Sequence, residues 1–479
     1  MRQSDTESVQ VYGDITMSLD QKFITMNISP VEYGGIPLAV HGEWKVDSRQ
    51  ITAGDCFVAL SGVNHDGHDF IADACARGAV AVMMARSRCD SFAEVMRAYD
   101  AKCTWIMVDD PRTALIALAA AWRKQFTYPV IGITGSMGKT TTKEMLSRIF
   151  TVQGSLHIAS RGNQNTILGA ALTLLRMRAE HAYAIVEMGI SARGEMEQLA
   201  MLVQPDTAVI TAIGHSHMEG LGSIADIAAE KRVIFKYLKY NGVGFINGDQ
   251  SLLLVAYHHP VIKFGCKTVN QIQARQIQQD SQGISFYLKL YRDRYHVRVA
   301  SENRARVYNA LAAAAVAHYY GVPASIILQS ISSTTTVESR FQHRPIGITG
   351  SVIIDDSYNA SPESMKSALL AFEHLEGPGK KVAVLGDMLE LGVNAPFWHR
   401  QLGRFLRRIP SLSHVVFVGD TIRWATKTVP YGLSYEVVPD WRAATVAVSK
   451  ILSENRATVL VKASHGVGLS NVVESLVSK

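Results

Sequence analysis

The chain has 479 residues, 47% of them hydrophobic and 19% charged, which is ordinary for a globular protein but too long for one core. About three domains of roughly 100 to 200 residues are expected. A formal net charge of +6 favours anionic ligands, yet no Lys/Arg block or basic-aromatic pattern marks a nucleic-acid binder, so a nucleotide or sugar phosphate is the indicated partner.

Five cysteines, odd in number and without a C-x-x-C pair, argue against a disulfide framework and a zinc site, and no apolar run approaches the ~18 residues of a membrane span. Residues 1 to about 40 are weakly patterned, with Met17 and Met26 as equal candidates for the start of the folded part. They hold no compact apolar segment with a cleavage site, so a cytoplasmic location is expected.

From Trp44 a small α/β unit is read, with the turn Asp47-Ser48-Arg49, an apolar run Cys56 to Leu60, a helix Ile71 to Arg77 and a strand Ala79 to Met84. Backbone N–H groups, the Ser48 hydroxyl and the Arg49 guanidinium could hold a pyrophosphate or a uracil edge. The plainer reading is an exposed polar turn with an Asp/Arg pair. An alanine-rich helix from Arg112 to Phe126 follows, and Asp110-Pro111 marks the first boundary, giving a domain of residues 1–110.

Val130 to Thr134 is a short β-branched strand, and Thr141 onward repeats apolar residues at Met145, Leu146, Ile149 and Phe150 as a helix does. Between them lie Gly135, Ser136, Met137, Gly138, Lys139 and Thr140, continued by Thr141. Glycines here turn backbone N–H groups inward on a phosphate, and the helix N-terminus adds positive potential. Lys139 would reach the β/γ-phosphates and Thr140 a magnesium ion. Ile133 stands where the longer P-loop pattern has its first glycine, so this is a shorter variant. A mere strand-to-helix turn would not explain Lys-Thr at the most positive point.

Strands Tyr183 to Val186 and Thr207 to Ile213 deliver Glu187 and His217 to the same sheet edge, where ligands of doubly wound sheets collect. Carboxylate and imidazole beside phosphates suit magnesium, with manganese as a substitute. The helix after Ser223 is expected to reach about Lys239, with Lys231 near its apolar stripe; such a lysine ordinarily snorkels to solvent. Gln271 to Ala300 reads as a β-hairpin insertion, and Tyr308-Asn309 opens another alanine-rich helix.

Polar residues between Val322 and Arg340 place the second boundary, giving a central domain 111–335 and a last domain 336–479. In the last domain four strands end in Asp355-Asp356-Ser357-Tyr358-Asn359-Ala360, in Gly386-Asp387-Met388, in Gly419-Asp420 and in Lys462-Ala463-Ser464-His465. The fold class is α/β in three domains: a central P-loop-type, mostly parallel sheet flanked by a small N-terminal α/β domain and a C-terminal Rossmann-like domain.

Over residues 44–479 the chain resembles the Mur ligase family. The glycine loop is shared across that superfamily. Val186-Glu187-Met188-Gly189, His217-Met218-Glu219-Gly220-Leu221-Gly222-Ser223, the Asp355-to-Ala360 run and Leu385-Gly386-Asp387-Met388-Leu389-Glu390-Leu391-Gly392 resemble its D-alanyl-D-alanine-adding branch. That resemblance implies an ATP-dependent peptidoglycan-precursor ligase, serving cell shape and division. ATP phosphorylates the terminal carboxylate of UDP-N-acetylmuramoyl-tripeptide, and the amine of D-alanyl-D-alanine attacks the acyl phosphate.

Further roles are likewise implied by the resemblance. Lys139 and Thr140 hold phosphate and magnesium; Glu187 and His217 hold a second magnesium; Lys231, as a carbamate, is a metal ligand. Arg340 and Asp356 close over ATP, and Asn309 faces adenine. Ser48, Arg49, Asn163, Asn165, Tyr358 and Asn359 bind substrate, and the protein works as a monomer.

The chain departs from the family pattern at Asn303, Ala305 and Arg306 before the Asn309 helix, at Lys462-Ala463-Ser464-His465 and at Ile167. Other readings are a folylpolyglutamate synthase, whose loop typically continues Gly-Lys-Gly-Ser, and a non-ligase P-loop NTPase, which would not need the flanking domains.

Overall fold

The structure, a computed structural model, describes residues 19–38, 42–62, 65–280, 282–333, 338–346 and 350–477. These form two compact units, one of the described residues up to Thr127 together with Leu174–Glu180, the other of Tyr128–Thr173 with the described residues from His181 onward.

The first unit is built on a five-stranded sheet. Trp44–Lys45, Cys56–Val58, Ala81–Ala85 and Thr104–Val108 run parallel, and Val31–Gly35 closes the edge antiparallel to Thr104–Val108. Residues of the weakly patterned N-terminal stretch therefore do form structure: a helix Gln21–Asn27, capped by Asp20, and that edge strand. Phe57, Val82, Met84 and Trp105 fill the core beside Cys75 and Cys103.

Helix Pro111–Arg123 starts where a helix should, with Asp110 accepting from the N–H groups of Arg112 and Thr113 and proline in the first turn. Its Trp122 indole donates to the Met177 carbonyl at 3.1 Å and meets the Phe23 ring edge-on. This helix thus belongs to the first unit, and the change of unit falls after Thr127 rather than at Asp110-Pro111.

The second unit holds two sheets. The larger has nine strands, in the spatial order Asp293–Val299, Gly283–Leu290, Ile272–Asp280, Val261–Gly265, Val243–Asn247, Thr207–Ile210, Val130–Thr134, Tyr183–Glu187 and His157–Ala159. All neighbours are parallel except the first three strands, which form an antiparallel meander. The expected hairpin insertion is therefore three strands that extend the central sheet, because Ile272–Asp280 pairs in parallel with Val261–Gly265.

The loop helix Lys139–Gln153 and the alanine-rich helix Ala305–Tyr319 contribute to one core, in which Phe150 stacks on Tyr183 at 4.1 Å. The helix after Ser223 is shorter than expected. A Ser223/Asp226 capping box starts it, and after Arg232 the run Val233–Tyr237 tightens into a 3₁₀ turn.

The last sheet runs Gln342–Ile346, Ser351–Asp355, Ala457–Lys462, Lys380–Gly386, Leu412–Val418, Ser434–Val438, parallel except for its first pair. Two of its six strands were not foreseen. Both are edges: one carries Pro345, the other exposes Ser434, Tyr435, Glu436 and Val437, so neither shows an apolar run. The expected junction at 335/336 lies outside the described residues. Among the described residues no helix is long and apolar enough to cross a membrane.

Candidate active site

The glycine loop leaves strand Val130–Thr134 and enters helix Lys139–Gln153 through two positions that only glycine fits. At Gly135, φ +148°, a Cβ would lie 2.0 Å from Thr211 Oγ1; at Gly138, φ +83°, it would lie 2.3 Å from Asn309 Oδ1. The loop is held from the side by the end of strand Thr207–Ile210. The Thr211 hydroxyl donates to the Met137 carbonyl at 2.5 Å, the Ser136 N–H to Ala212 O at 2.7 Å, and the Ser136 hydroxyl to Gly214 O at 3.0 Å.

Lys139 folds back across the loop, its ammonium 2.8 Å from the Gly135 carbonyl. Burial lowers its pKa, Glu187 opposes that shift, and Arg340 adds to it. Met137 and Thr141 are half-buried. Asn309 sits against Gly138 and the Thr142 hydroxyl, at the loop rather than apart from it.

Glu187 is 1% exposed at the end of its strand. Its Oε1 accepts from the Thr140 hydroxyl at 3.1 Å and from Asn165 Nδ2 at 3.0 Å, while Oε2 has no hydrogen-bond partner among the described residues. A buried carboxylate oxygen left unpaired costs free energy unless a cation completes it. Thr140 and Glu187 are thus a donor set that fits a hard divalent ion. Asn165 is packed under Gly189, and Asn163 is exposed.

His217 caps helix Met218–Leu221 in a left-handed conformation, and its Nδ1 lies 2.5 Å from Glu390 Oε2. The His217 imidazole beside it holds the Glu390 carboxyl below its ordinary range. The imidazole is thereby paired with a carboxylate of the last sheet. Among the described residues no group of three or more His, Cys, Asp or Glu side chains gathers as a metal cluster.

Lys231 is 1% exposed, so it does not snorkel. Burial drives its pKa well below the ordinary value, and Lys139 pushes it further down. Glu230 and Glu195 pull the other way, but both are engaged elsewhere: Glu230 accepts from the N–H groups of Gly194 and Met196, Glu195 from those of Ser191 and Ala192.

From the last sheet, Arg340 lies over the Tyr358 ring at 3.9 Å and acts electrostatically on both Lys139 and Lys462. Asp356 is paired with Lys462 at 2.7 Å, and the same ammonium donates to the Asn359 carbonyl at 2.8 Å. The Asn359 side chain is turned to the N–H of Ala360. Lys139 and Arg340, close enough to act on one another, make a positive site for an anion.

In the first unit, Ser48 is buried, whereas the Arg49 side chain is 82% exposed and its fork is spent on Asp47, at 2.9 Å from each carboxylate oxygen. The plainer reading of this turn is the one observed. An exposed, solvent-screened pair of this kind adds little to stability, so a phosphate could displace Asp47 at small cost.

Sequence reasoning passed over several residues that shape the site. Lys143, fully buried, donates to the carbonyls of Ser160 and Gly162 and so anchors the Arg161–Asn165 loop to the loop helix. Its spacing of four from Lys139 places it on the same helix face, which was a readable signal. Buried His399 accepts from the Met388 N–H through Nε2, which fixes its proton on Nδ1, facing Ala395 O. Nothing local in the sequence marks His399.

Comparison with known proteins matches residues 44–123 to the Mur ligase family catalytic domain, 133–317 to the Mur ligase middle domain and 339–465 to the Mur ligase glutamate ligase domain. The chain is 38% identical over 364 residues to the UDP-N-acetylmuramoyl-tripeptide–D-alanyl-D-alanine ligase of Bacillus subtilis, covering 76% of this chain and 77% of that protein. A crystal structure of MurF from Acinetobacter baumannii superposes with a TM-score of 0.82 at 28% identity, over 97% of this chain and 100% of that one. MurF of Thermotoga maritima in complex with ADP gives 0.75 at 27% identity, over 92% and 98%.

Proposed function

This chain belongs to the Mur ligase family, and on that premise we propose that it joins D-alanyl-D-alanine to UDP-N-acetylmuramoyl-tripeptide at the expense of ATP. The observation that carries the chemistry is the unpaired, buried Oε2 of Glu187 beside Lys139 and the glycine cradle. The substrates follow from the names of its relatives, and ATP from the ADP-bound neighbour.

In the first step the terminal carboxylate attacks the γ-phosphorus and ADP leaves; in the second the dipeptide amine attacks the acyl carbon and phosphate leaves. Phosphoryl transfer asks the protein for position and charge more than for a nucleophile. Backbone N–H groups of Gly135 to Thr141, other than that of Ser136, which Ala212 O occupies, cradle the phosphates, Lys139 answers the charge that develops at the γ-phosphate, and Arg340 and Asp356 approach from the last sheet. Asn309, against the loop, is assigned to the adenosine end.

Thr140, Glu187, His217 and a carbamylated Lys231 would hold magnesium, two ions or manganese in their place, whose chemistry is to neutralise phosphate oxygens. For His217 this requires release from Glu390. Ser48, Arg49, Asn163, Asn165, Tyr358 and Asn359 are assigned to the muramoyl and dipeptide substrates. The division into three domains, a monomeric state and a cytoplasmic location belong to the same reading.

The test is phosphate release with purified substrates. Release that requires ATP, the UDP-muramoyl-tripeptide and D-alanyl-D-alanine together supports the ligase. Release without either acceptor would indicate a simple NTPase, and turnover only with a folate would indicate a folylpolyglutamate synthase. Gly138→Ala is expected to weaken nucleotide binding by at least tenfold in calorimetry, because its Cβ would meet Asn309 and the φ of +83° disfavours any side chain. Affinity equal to the parent's would remove the cradle.

A further inference from the structure

Glu363 stands in the first turn of helix Pro362–His374, which belongs to the last sheet, yet its carboxylate is spent on the central one. Oε2 accepts the His215 N–H at 3.1 Å, and Oε1 meets His215 Nδ1 in a short hydrogen bond. The His215 ring lies against Trp398 at 4.3 Å, so the imidazole is gripped by two helices of the last sheet, Pro362–His374 and Ala395–Phe405.

Next to it, Gly214 has no room for a side chain. A Cβ there would lie 2.9 Å from Glu363 Oε2 and 3.1 Å from the Met137 methyl. Gly214 also accepts from the Ser136 hydroxyl of the phosphate loop. A continuous path of hydrogen bonds and close packing therefore runs from helix Pro362–His374 through Glu363 and Gly214 to Ser136 and Met137. One turn further along the same helix, the Ser367 hydroxyl donates to Asn303 Oδ1 at 2.7 Å.

We propose that Glu363 is a positioning residue for the reaction assigned above, a pin that sets Arg340 and Asp356 in register with Lys139 by fixing the helix of the last sheet to the 214–217 loop. Arg340 and Asp356 flank strands of one sheet and Lys139 follows a strand of the other, so their registry depends on whatever fixes the two together. The Glu363 carboxylate supplies two acceptors to two donors of one residue. Glutamine is a poorer partner: it lacks the charge that strengthens both bonds, and its NH₂ is accepted only if the imidazole moves its proton to Nε2. The proposal rests on the ligase reading for its kinetic effect but not for the contact itself.

Glu363→Gln and His215→Ala are made singly and together in the full chain. The expected result is a fall in kcat of roughly tenfold to a hundredfold, the scale of a small misplacement of reacting groups. Nucleotide Kd measured without the other substrates and the urea midpoint should stay at parental values. The double variant should be no worse than the worse single one, since both remove one contact. Hydrogen exchange at the His215 amide should rise in Glu363→Gln.

Parental kcat in Glu363→Gln, additive losses, or a nucleotide Kd that weakens in step with kcat would overturn the pin. A parent chain without ligase turnover would overturn the function reading alone. In that case the His215 exchange still decides: raised exchange in Glu363→Gln upholds the contact, and unchanged exchange removes it.

Discussion

Lys139→Ala is expected to lower turnover by about 10²–10³-fold or more, while the unfolding midpoint stays near that of the parent. The size follows from removing one preorganised positive group at the position where charge develops in the transition state. The direction of the stability effect follows from its surroundings. Lys139 is partly buried, its ammonium donates to Gly135 O, and desolvation lowers its pKa, so its removal relieves a cost as well as losing a bond. Steady-state kinetics together with a urea titration separate the two quantities. Turnover near the parent's would strip Lys139 of the phosphate role, whatever the family resemblance.

The loop was legible because one short stretch combines every signal: a β-branched strand bounded by proline and glycine, two glycines at forced conformations, and Lys-Thr at a helix start. Strand Val130–Thr134 was read to the residue, and its helix begins two residues before the first apolar repeat suggested. Glu187 was legible for a related reason, since the end of a parallel strand is a fixed place in this class of sheet.

What escaped reading depends on distant partners. No local pattern says that His217 will meet Glu390 or that His215 will meet Glu363. Edge strands escaped for the opposite reason. Ser434–Val438 buries little on either face, so it lacks the alternation that burial imposes on sequence. The early change of unit was misplaced because Asp110-Pro111 is a helix start, and a helix start is punctuation whether or not a domain ends there.

Lys231→Ala is expected to lose about 10–100-fold in activity, the usual loss when a group that holds or orients a metal ligand is removed. A small carboxylate such as acetate should restore part of it. A buried ammonium at Lys231 would stand near Lys139 with Glu230 and Glu195 both engaged by backbone N–H groups, so the charged form is poorly supported. Its pKa is driven well below the ordinary value by burial first and by Lys139 second. A neutral amine is the form that adds carbon dioxide, and the resulting carbamate carries a negative charge, which suits a site that already holds the Lys139 cation.

The pH dependence follows from the same shift. Because the folded pKa is lowered, the neutral amine is available at lower pH than for an ordinary lysine, and activity should fall as acid protonates it and releases carbon dioxide. Bicarbonate should then restore activity to the parent when the pH is brought back to neutrality. Lys231→Arg keeps a positive charge, cannot form the carbamate and has no space to reach solvent at 1% exposure, so it should fail as the alanine variant does but without rescue by acetate. An arginine variant that turns over like the parent would reduce Lys231 to a helix residue that happens to be buried.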